Sequence, residues 1–161
     1  MFSIEEIIDL AIQIEQNGER IYRDALQKIS NPSLSFWLQR LADEEAQHAK
    51  WFTEMKDASQ GPVDDPRLEQ MGQSILRSIL GDQAFSLQDI DFSSLNQIKN
   101  LFELGIEFEK DTVLFYEMIR DFIEDEITLI ALNTIIEEEN RHIQLIQGFL
   151  ESGEMITDPD A

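Results

Sequence analysis

The chain has 161 residues, of which 42% are hydrophobic, and it carries a formal net charge of -21. A hydrophobic fraction this high argues against disorder, and a surface this acidic should repel nucleic acids and anionic membranes. Because the sequence contains no cysteine, disulfides, thiolate zinc sites and iron–sulfur centres are excluded.

Two long helical patterns joined by a turn make up the first part of the chain. The first pattern runs over residues 3–29, and Glu15 lies inside its apolar stripe, where an apolar residue would be expected. The residues SNPS at 30–33 predict a turn followed by a helix start, because Pro32 is tolerated in a first helical turn. The second helix continues to about Asp57, so residues 3–57 predict a helical hairpin.

The second part of the chain repeats this layout after a long connection. Residues 58–93 predict a crossover that contains a short amphipathic helix over 66–80. A third helix over 94–122 and a fourth over 125–152 predict a second hairpin spanning 94–151, followed by a flexible tail at 154–161. The prediction for residues 1–153 is therefore one all-α domain, an antiparallel four-helix bundle with one long crossover connection containing a short extra helix.

The two hairpins match each other when the chain is shifted by 94 residues without a gap. The shift places the only two tyrosines on one another, and the only two histidines likewise. The matched pairs are Glu15 with Glu109, Tyr22 with Tyr116, Glu45 with Glu139, and His48 with His142. A doubled set of this kind is the signature of an internal structural repeat.

The spacing within each half brings its polar residues to one level of the bundle. Each histidine follows a glutamate by three residues, so both side chains project from one helix face. Glu15 and Glu45 are equidistant from the turn at Ser30, and the second half has the same symmetry about Glu124. Each folded hairpin therefore presents two carboxylates and one imidazole at the same height.

Four glutamates and two histidines should meet in the interior if the hairpins pack as a pseudo-twofold pair. They are Glu15, Glu45, His48, Glu109, Glu139 and His142. Buried carboxylates cannot all stay ionised without compensation, whereas two divalent cations would balance four negative charges. A single E-x-x-H pair usually marks a solvated ion pair, but the doubled, equidistant set favours two carboxylate-bridged metals with one histidine each. Iron or manganese suits such ligands, and zinc is an alternative.

Two further pairs of polar residues lie near this set on the helices. Tyr22 and Tyr116 lie two turns after Glu15 and Glu109 on the same face, and helical side chains lean toward the N-terminus. Each tyrosine is predicted either to hydrogen-bond a ligating carboxylate, to donate an electron transiently, or to be an ordinary core residue. Glu44 and Glu138 should point about 100° away from the site face and be solvated.

The motifs together resemble those of the ferritin-like di-iron carboxylate proteins, and most closely the rubrerythrin group. They are Glu15, EEAQH at 44–48, IEFEKDTVLFY at 106–116 and EEENRH at 137–142, and the resemblance covers nearly all of residues 3–151. The resemblance implies a ferritin-like bundle that holds two iron ions. It also implies bridging roles for Glu45 and Glu139, terminal roles for the other two glutamates, reduction of hydrogen peroxide, and a homodimer.

Two features differ from full-length rubrerythrins. Those proteins contain a rubredoxin-like module with four cysteines that delivers electrons, whereas this chain has no cysteine and would need a separate electron-donor protein. They also carry an extra glutamate one turn after the third-helix ligand, where this chain has Thr112, with Gly18 at the matching place in the first half. These smaller residues would leave room for an oxidant beside the metals.

Three functions remain open at this stage. The first is an oxidoreductase, a peroxidase of the rubrerythrin type, that reduces hydrogen peroxide or dioxygen with electrons from an external donor protein. The second is a ferroxidase or iron-storage protein, and the third is a non-catalytic, metal-stabilised helical module that binds other proteins. The N-terminal residues lack a signal-peptide layout, and no apolar run approaches the ~18 residues of a membrane span. We therefore expect a cytoplasmic protein without nucleic-acid or membrane partners.

Overall fold

Four long α-helices account for nearly all of the described residues. The computed structural model describes residues 4–56 and 95–152, together with residues 66, 67, 70 and 74. The helices are α1 (Ile4–Lys28), α2 (Pro32–Lys56), α3 (Leu95–Arg120) and α4 (Glu126–Ser152). The all-α prediction is confirmed, and each helix begins and ends within two residues of its predicted bounds.

Side-chain caps fix the starts of α2 and α4. The Oδ1 atom of Asn31 accepts hydrogen bonds from the backbone N–H groups of Ser33, at 3.0 Å, and Leu34, at 3.2 Å. The Oδ2 atom of Asp125 accepts one from the backbone N–H of Thr128 at 2.8 Å. These bonds satisfy N–H groups that have no partner within the helix, so each cap sets where its helix begins after a tight turn.

The helices form two antiparallel hairpins, α1 with α2 and α3 with α4. Hydrogen bonds from Tyr22 to Glu109 and from Tyr116 to Glu15 show that α1 and α3 also run antiparallel, because the earlier residue of one helix meets the later residue of the other. Consequently α2 and α3 are parallel, and the chain between them must travel the length of the bundle. A helix of 25 residues is roughly 37 Å long, so this connection is a crossover.

The predicted crossover segment, with its short helix over 66–80, lies outside the described residues apart from four positions. Residues 66, 67, 70 and 74 are helical. The predicted tail at 154–161 lies outside the described residues entirely. Among the described helices, none is both long and apolar enough to cross a membrane.

The hydrophobic core fills the space between the four helices. Its fully buried large side chains include Ile8, Ile14, Leu38, Leu41, Phe52, Phe115, Leu132 and Ile146. Burying each large apolar side chain contributes roughly 1.5–3 kcal/mol relative to leaving it in water. This apolar packing is interrupted at mid-height by a layer of charged and polar groups.

Candidate metal centre

The six predicted residues meet at the middle of the bundle. α1 provides Glu15, α2 provides Glu45 and His48, α3 provides Glu109, and α4 provides Glu139 and His142. None of these side chains is more than 4% exposed. Their ligand atoms form two groups in which all atoms lie within 4.8 Å of one another, and Glu45 and Glu139 belong to both groups. One group adds Glu15 and His48, and the other adds Glu109 and His142.

The two imidazole rings turn the same nitrogen toward the carboxylates. His48 Nδ1 lies 2.9 Å from Glu139 Oε1 and 3.4 Å from Glu15 Oε2. His142 Nδ1 lies 3.2 Å from Glu139 Oε2 and 3.3 Å from Glu45 Oε1. The rings are stacked, with centroids 6.2 Å apart and an angle of 21° between their planes. The two halves therefore present equivalent donor sets across the pseudo-twofold axis.

The outer nitrogens of both rings are held by glutamates from the opposite hairpin. His48 Nε2 lies 2.5 Å from Glu138 Oε2, and His142 Nε2 lies 2.6 Å from Glu44 Oε2. Each carboxylate accepts a hydrogen bond from the Nε2–H group of the ring. The proton is therefore held on Nε2, and Nδ1 is the nitrogen that faces the centre. Each half thus orients the imidazole of the other half.

The prediction that Glu44 and Glu138 are solvated was wrong. Their side chains are only 24% and 30% exposed, and each reaches a histidine between α2 and α4. A side chain about 100° from the site face lies toward the neighbouring helix rather than toward solvent. Their match under the repeat was the signal that could have revealed this role.

The two glutamates differ in one contact. Arg40 Nε lies 3.2 Å from Glu44 Oε1, whereas the residue that matches Arg40 in the second half is Thr134.

The tyrosine hydroxyls also cross between halves. Tyr22 donates a hydrogen bond to Glu109 Oε1 at 2.7 Å, and Tyr116 donates one to Glu15 Oε1. Burial raises the pKa of each tyrosine well above its usual value, and the carboxylate that it contacts adds to the rise. Both hydroxyls therefore keep their protons and orient one oxygen of the outer glutamate in the opposite half.

The carboxylates of the centre differ in their affinity for protons. Burial raises the pKa of Glu15 to about 7, and the charge of Glu139 adds to the rise. Burial raises the pKa values of Glu45 and Glu109 well above their usual range, again with Glu139 contributing. Burial would also raise the pKa of Glu139, but contacts with both histidines hold it well below its usual value. One carboxylate is therefore ionised while the other three favour protons.

The histidines bind protons more tightly than usual. Burial alone would lower the pKa of His48, but hydrogen bonds to Glu138 and Glu139 raise it. Burial alone would also lower the pKa of His142, but contacts with Glu139 and Glu44 raise this pKa well above its usual value. The cluster thus attracts positive charge, which protons or metal cations can supply.

The donor atoms fit a pair of metal ions. Among the described residues, four buried atoms that point into the cluster lie close to ion-pair partners but make no hydrogen bond of normal geometry: Glu15 Oε2, Glu45 Oε1, Glu139 Oε2 and His142 Nδ1. Buried polar atoms of folded proteins nearly always make hydrogen bonds, so atoms without one that converge on one space indicate a ligand. Oxygen-rich donor sets with imidazole suit iron, manganese or zinc.

An antiparallel four-helix bundle with one crossover and this carboxylate–histidine layer defines the class of ferritin-like di-iron carboxylate proteins. The chain shares this fold with a proposed ferritin-like diiron-carboxylate protein from Thermotoga maritima, with a TM-score of 0.71 and 20% identity over 94% of this chain and 97% of that chain. Residues 6–150 match the family model described as Rubrerythrin, and the chain therefore belongs to the rubrerythrin family. No curated protein sequence matches the chain significantly.

Proposed function

We propose that this protein is a di-iron oxidoreductase that reduces hydrogen peroxide or dioxygen with electrons from a separate donor protein. The observation that carries this proposal is the pair of overlapping donor groups that share Glu45 and Glu139. Carboxylates that belong to both groups would hold two metal ions side by side in the bundle interior. Two divalent ions would also balance the charge of the four buried glutamates.

The ligand roles follow from membership in the two groups. Glu45 and Glu139, which belong to both groups, would be shared by the two ions, while Glu15 with His48 would complete one site and Glu109 with His142 the other. A pair of ferrous ions bound there would supply one electron each to the substrate. Carboxylate ligands of this kind would favour the oxidised state of iron and so support electron release.

The surrounding residues hold these ligands in place. Glu44 and Glu138 accept hydrogen bonds from the outer N–H groups of the histidines and so would fix which nitrogen binds metal. Tyr22 and Tyr116 hold their hydroxyl protons against one oxygen of Glu109 and Glu15 and limit how far these terminal carboxylates can rotate. The role that we propose for the tyrosines in the reaction is therefore to position these two carboxylates, while each hydroxyl keeps its proton.

The electrons for repeated turnover must come from outside the chain. A rubredoxin-type centre requires four cysteines, and this sequence has none. We therefore propose a separate electron-donor protein as partner. The rubrerythrin family supports a homodimeric assembly, which we propose together with a cytoplasmic location. The high negative charge supports partners that are cationic or small and neutral rather than nucleic acid or anionic membrane.

Anaerobic stopped-flow measurement tests the proposal. The protein is loaded with two ferrous ions per chain and mixed with hydrogen peroxide or with dioxygen, and the absorbance of ferric iron is followed. We expect at least one oxidant to oxidise the bound iron faster than it oxidises the same concentration of free ferrous ion. Equal or slower rates with both oxidants would reject the proposed reaction, and metal binding without any redox response would favour a non-catalytic module.

The acidic surface supports iron oxidation and storage as a second candidate function. A net charge of -21 would concentrate cations near the protein. Storage requires a large hollow assembly, so the mass in solution separates the two functions. A particle near twice the chain mass of 18.7 kDa fits the oxidoreductase, whereas one of many chains fits a storage shell.

A further inference from the structure

A cavity lies between α1 and α3 against the Glu109 side of the candidate metal centre. Its volume is about 40 Å³. Four of its lining residues are half-buried and so lie nearest the bundle surface: Asn17, Ile21, Gly105 and Phe108. Its inner wall includes Gly18, Tyr22 and the proposed ligand Glu109. The cavity therefore leads from the α1–α3 seam to one end of the centre.

Two glycines create this space. A Cβ atom at Gly18 would lie 3.3 Å from the Cδ atom of Glu45, so a side chain there would close the gap between the cavity and a proposed bridging carboxylate. A Cβ atom at Gly105 would meet nothing within 4 Å, which shows that the space beside it is open. Glycine in a helix interior costs roughly 1 kcal/mol relative to alanine. The two glycines that face the cavity therefore keep this space open at a cost to helix stability.

Three residues that line the cavity have larger counterparts in the other half, although Phe102 and Phe108 correspond to the smaller Ile8 and Ile14. Under the repeat, Gly18 corresponds to Thr112, Ile21 to Phe115 and Ile146 to Phe52. Phe52 and Phe115 are fully buried and pack on the ring of Tyr116, with centroid distances of 5.0 and 6.2 Å. The two ends of a nearly symmetric centre therefore differ, because aromatic rings cover the Glu15 end while a cavity adjoins the Glu109 end.

The size and lining of the cavity select its occupant. An apolar cavity of ~150 Å³ holds benzene, so one of about 40 Å³ holds a molecule of only a few atoms. Most of its lining is apolar, and the hydroxyl proton of Tyr22 is already donated to Glu109. Hydrogen peroxide and water lose hydrogen bonds in such surroundings, whereas dioxygen has none to lose.

We infer that this cavity binds dioxygen and guides it to the Glu109 end of the centre. That the cavity guides dioxygen to the centre rests on the proposed function, since it requires a reduced centre that reacts with oxidants. That the cavity binds dioxygen depends only on its shape and apolar lining. The two claims can therefore be tested separately.

Substitution of Gly105 provides the test. In Gly105→Leu the new side chain should lean toward the preceding turn and occupy the part of the cavity beside Leu101 and Phe102, on the side away from Glu109. Gly105→Ala is the matched control, because it gives a similar gain in helix propensity but adds a single carbon. Both variants should bind two metal ions per chain.

Xenon binding measures occupancy without any redox chemistry. Crystals of the full-length wild-type protein pressurised with xenon should show one xenon atom in the cavity, and Gly105→Leu should lose it. Xenon absent from the wild-type cavity would overturn the binding site, whatever the outcome of the kinetic experiments.

Stopped-flow kinetics measures access. Gly105→Leu should slow oxidation of the reduced protein by dioxygen about tenfold or more, and oxidation by peroxide less than about twofold. An unchanged dioxygen rate, or equal slowing with both oxidants, would overturn the inference. If neither oxidant reacts with the wild-type protein, the proposed function and the access route both fail, and xenon occupancy alone decides the binding site.

Discussion

Glu139 occupies the centre of the charged layer. Its two oxygens lie 2.9 Å from His48 Nδ1 and 3.2 Å from His142 Nδ1, and it belongs to both donor groups. We predict that Glu139→Ala lowers the metal content from two ions per chain to one or none, because each ion loses a ligand. Metal analysis after dialysis measures this. Glu137→Ala, which removes an exposed glutamate from the same helix, should keep two ions. Two ions in Glu139→Ala would contradict the ligand assignment.

Glu138 illustrates how a residue outside the donor set controls it. Its carboxylate accepts the Nε2 proton of His48, so Glu138→Leu should leave Nδ1 free to take the proton instead. We predict a fall of roughly 10–100-fold in affinity for one of the two metal ions, the range typical for the loss of such a partner. Competition with a chelator gives the affinity. Glu138→Gln keeps a hydrogen-bond acceptor and should lose much less metal affinity. Equal losses of affinity in both variants would argue against control of the proton position on His48 by Glu138.

The residues of the centre could be predicted from sequence because a gap-free repeat and helix geometry place them at one height. Glu15 and Glu45 need only the turn and the rise per residue to be brought together. The partners of Glu44, Glu138 and the two tyrosines depend on how one hairpin faces the other. No spacing within a single hairpin contains that information, so sequence reasoning placed the two glutamates in solvent and left the tyrosine partners open.

At the scale of the helices, local signals at the turns set the boundaries. Asn31 stands before Pro32, and its side chain accepts two backbone hydrogen bonds at the start of α2. The side chain of Asp125 accepts hydrogen bonds from the backbone N–H and the hydroxyl of Thr128 at the start of α4. Such signals are readable in sequence, which explains why the predicted helix ends are nearly correct. The sequence predicted room beside Gly18, but the extent of the cavity was harder to predict, because residues from all four helices line it.

The cap at Asn31 makes a measurable contribution to stability. We predict that Asn31→Ala lowers the free energy of unfolding by about 1 kcal/mol, because two backbone N–H groups lose their acceptor. For a chain of this size that corresponds to a fall of roughly 2–4 °C in melting temperature. The measurement belongs on metal-free protein, where metal binding does not add to stability. Ser30→Ala, a change at an exposed neighbouring residue, should alter the free energy of unfolding little. An equal loss of stability in Ser30→Ala would show that the cap is not the cause.

At the scale of the whole molecule, the charged layer opposes folding when no metal is bound. Four buried carboxylates and two imidazoles replace what would otherwise be apolar packing across the middle of the bundle. Protons can compensate part of this charge, as the raised pKa values of Glu15, Glu45, Glu109 and the histidines show. Metal ions compensate more fully, so folding stability, metal content and pH should be linked in this protein.

The metal-free protein should become less stable as pH rises from 5 to 8. Burial raises the pKa of Glu15 from its usual 4.5 to about 7, so the folded state holds a proton that the unfolded chain releases. Stability falls with pH whenever the folded state binds more protons, and Glu15 alone would account for about 3 kcal/mol by pH 8. Glu45, Glu109 and the histidines act in the same direction. Glu139 is ionised in both states over this range and contributes no slope.

Urea unfolding of chelator-treated protein at several pH values measures this dependence. Few other groups titrate between pH 5 and 8, because most carboxylates are already ionised and the chain has only two histidines. Glu15→Gln cannot ionise and should make the fall of stability with pH less steep, whereas Glu5→Gln, an exposed change in the same helix, should leave the slope unaltered. The metal-loaded protein should show the reverse trend, because protons compete with the cations at low pH. Metal-free stability that is constant or rises with pH would mean that the buried carboxylates do not hold protons in the folded state.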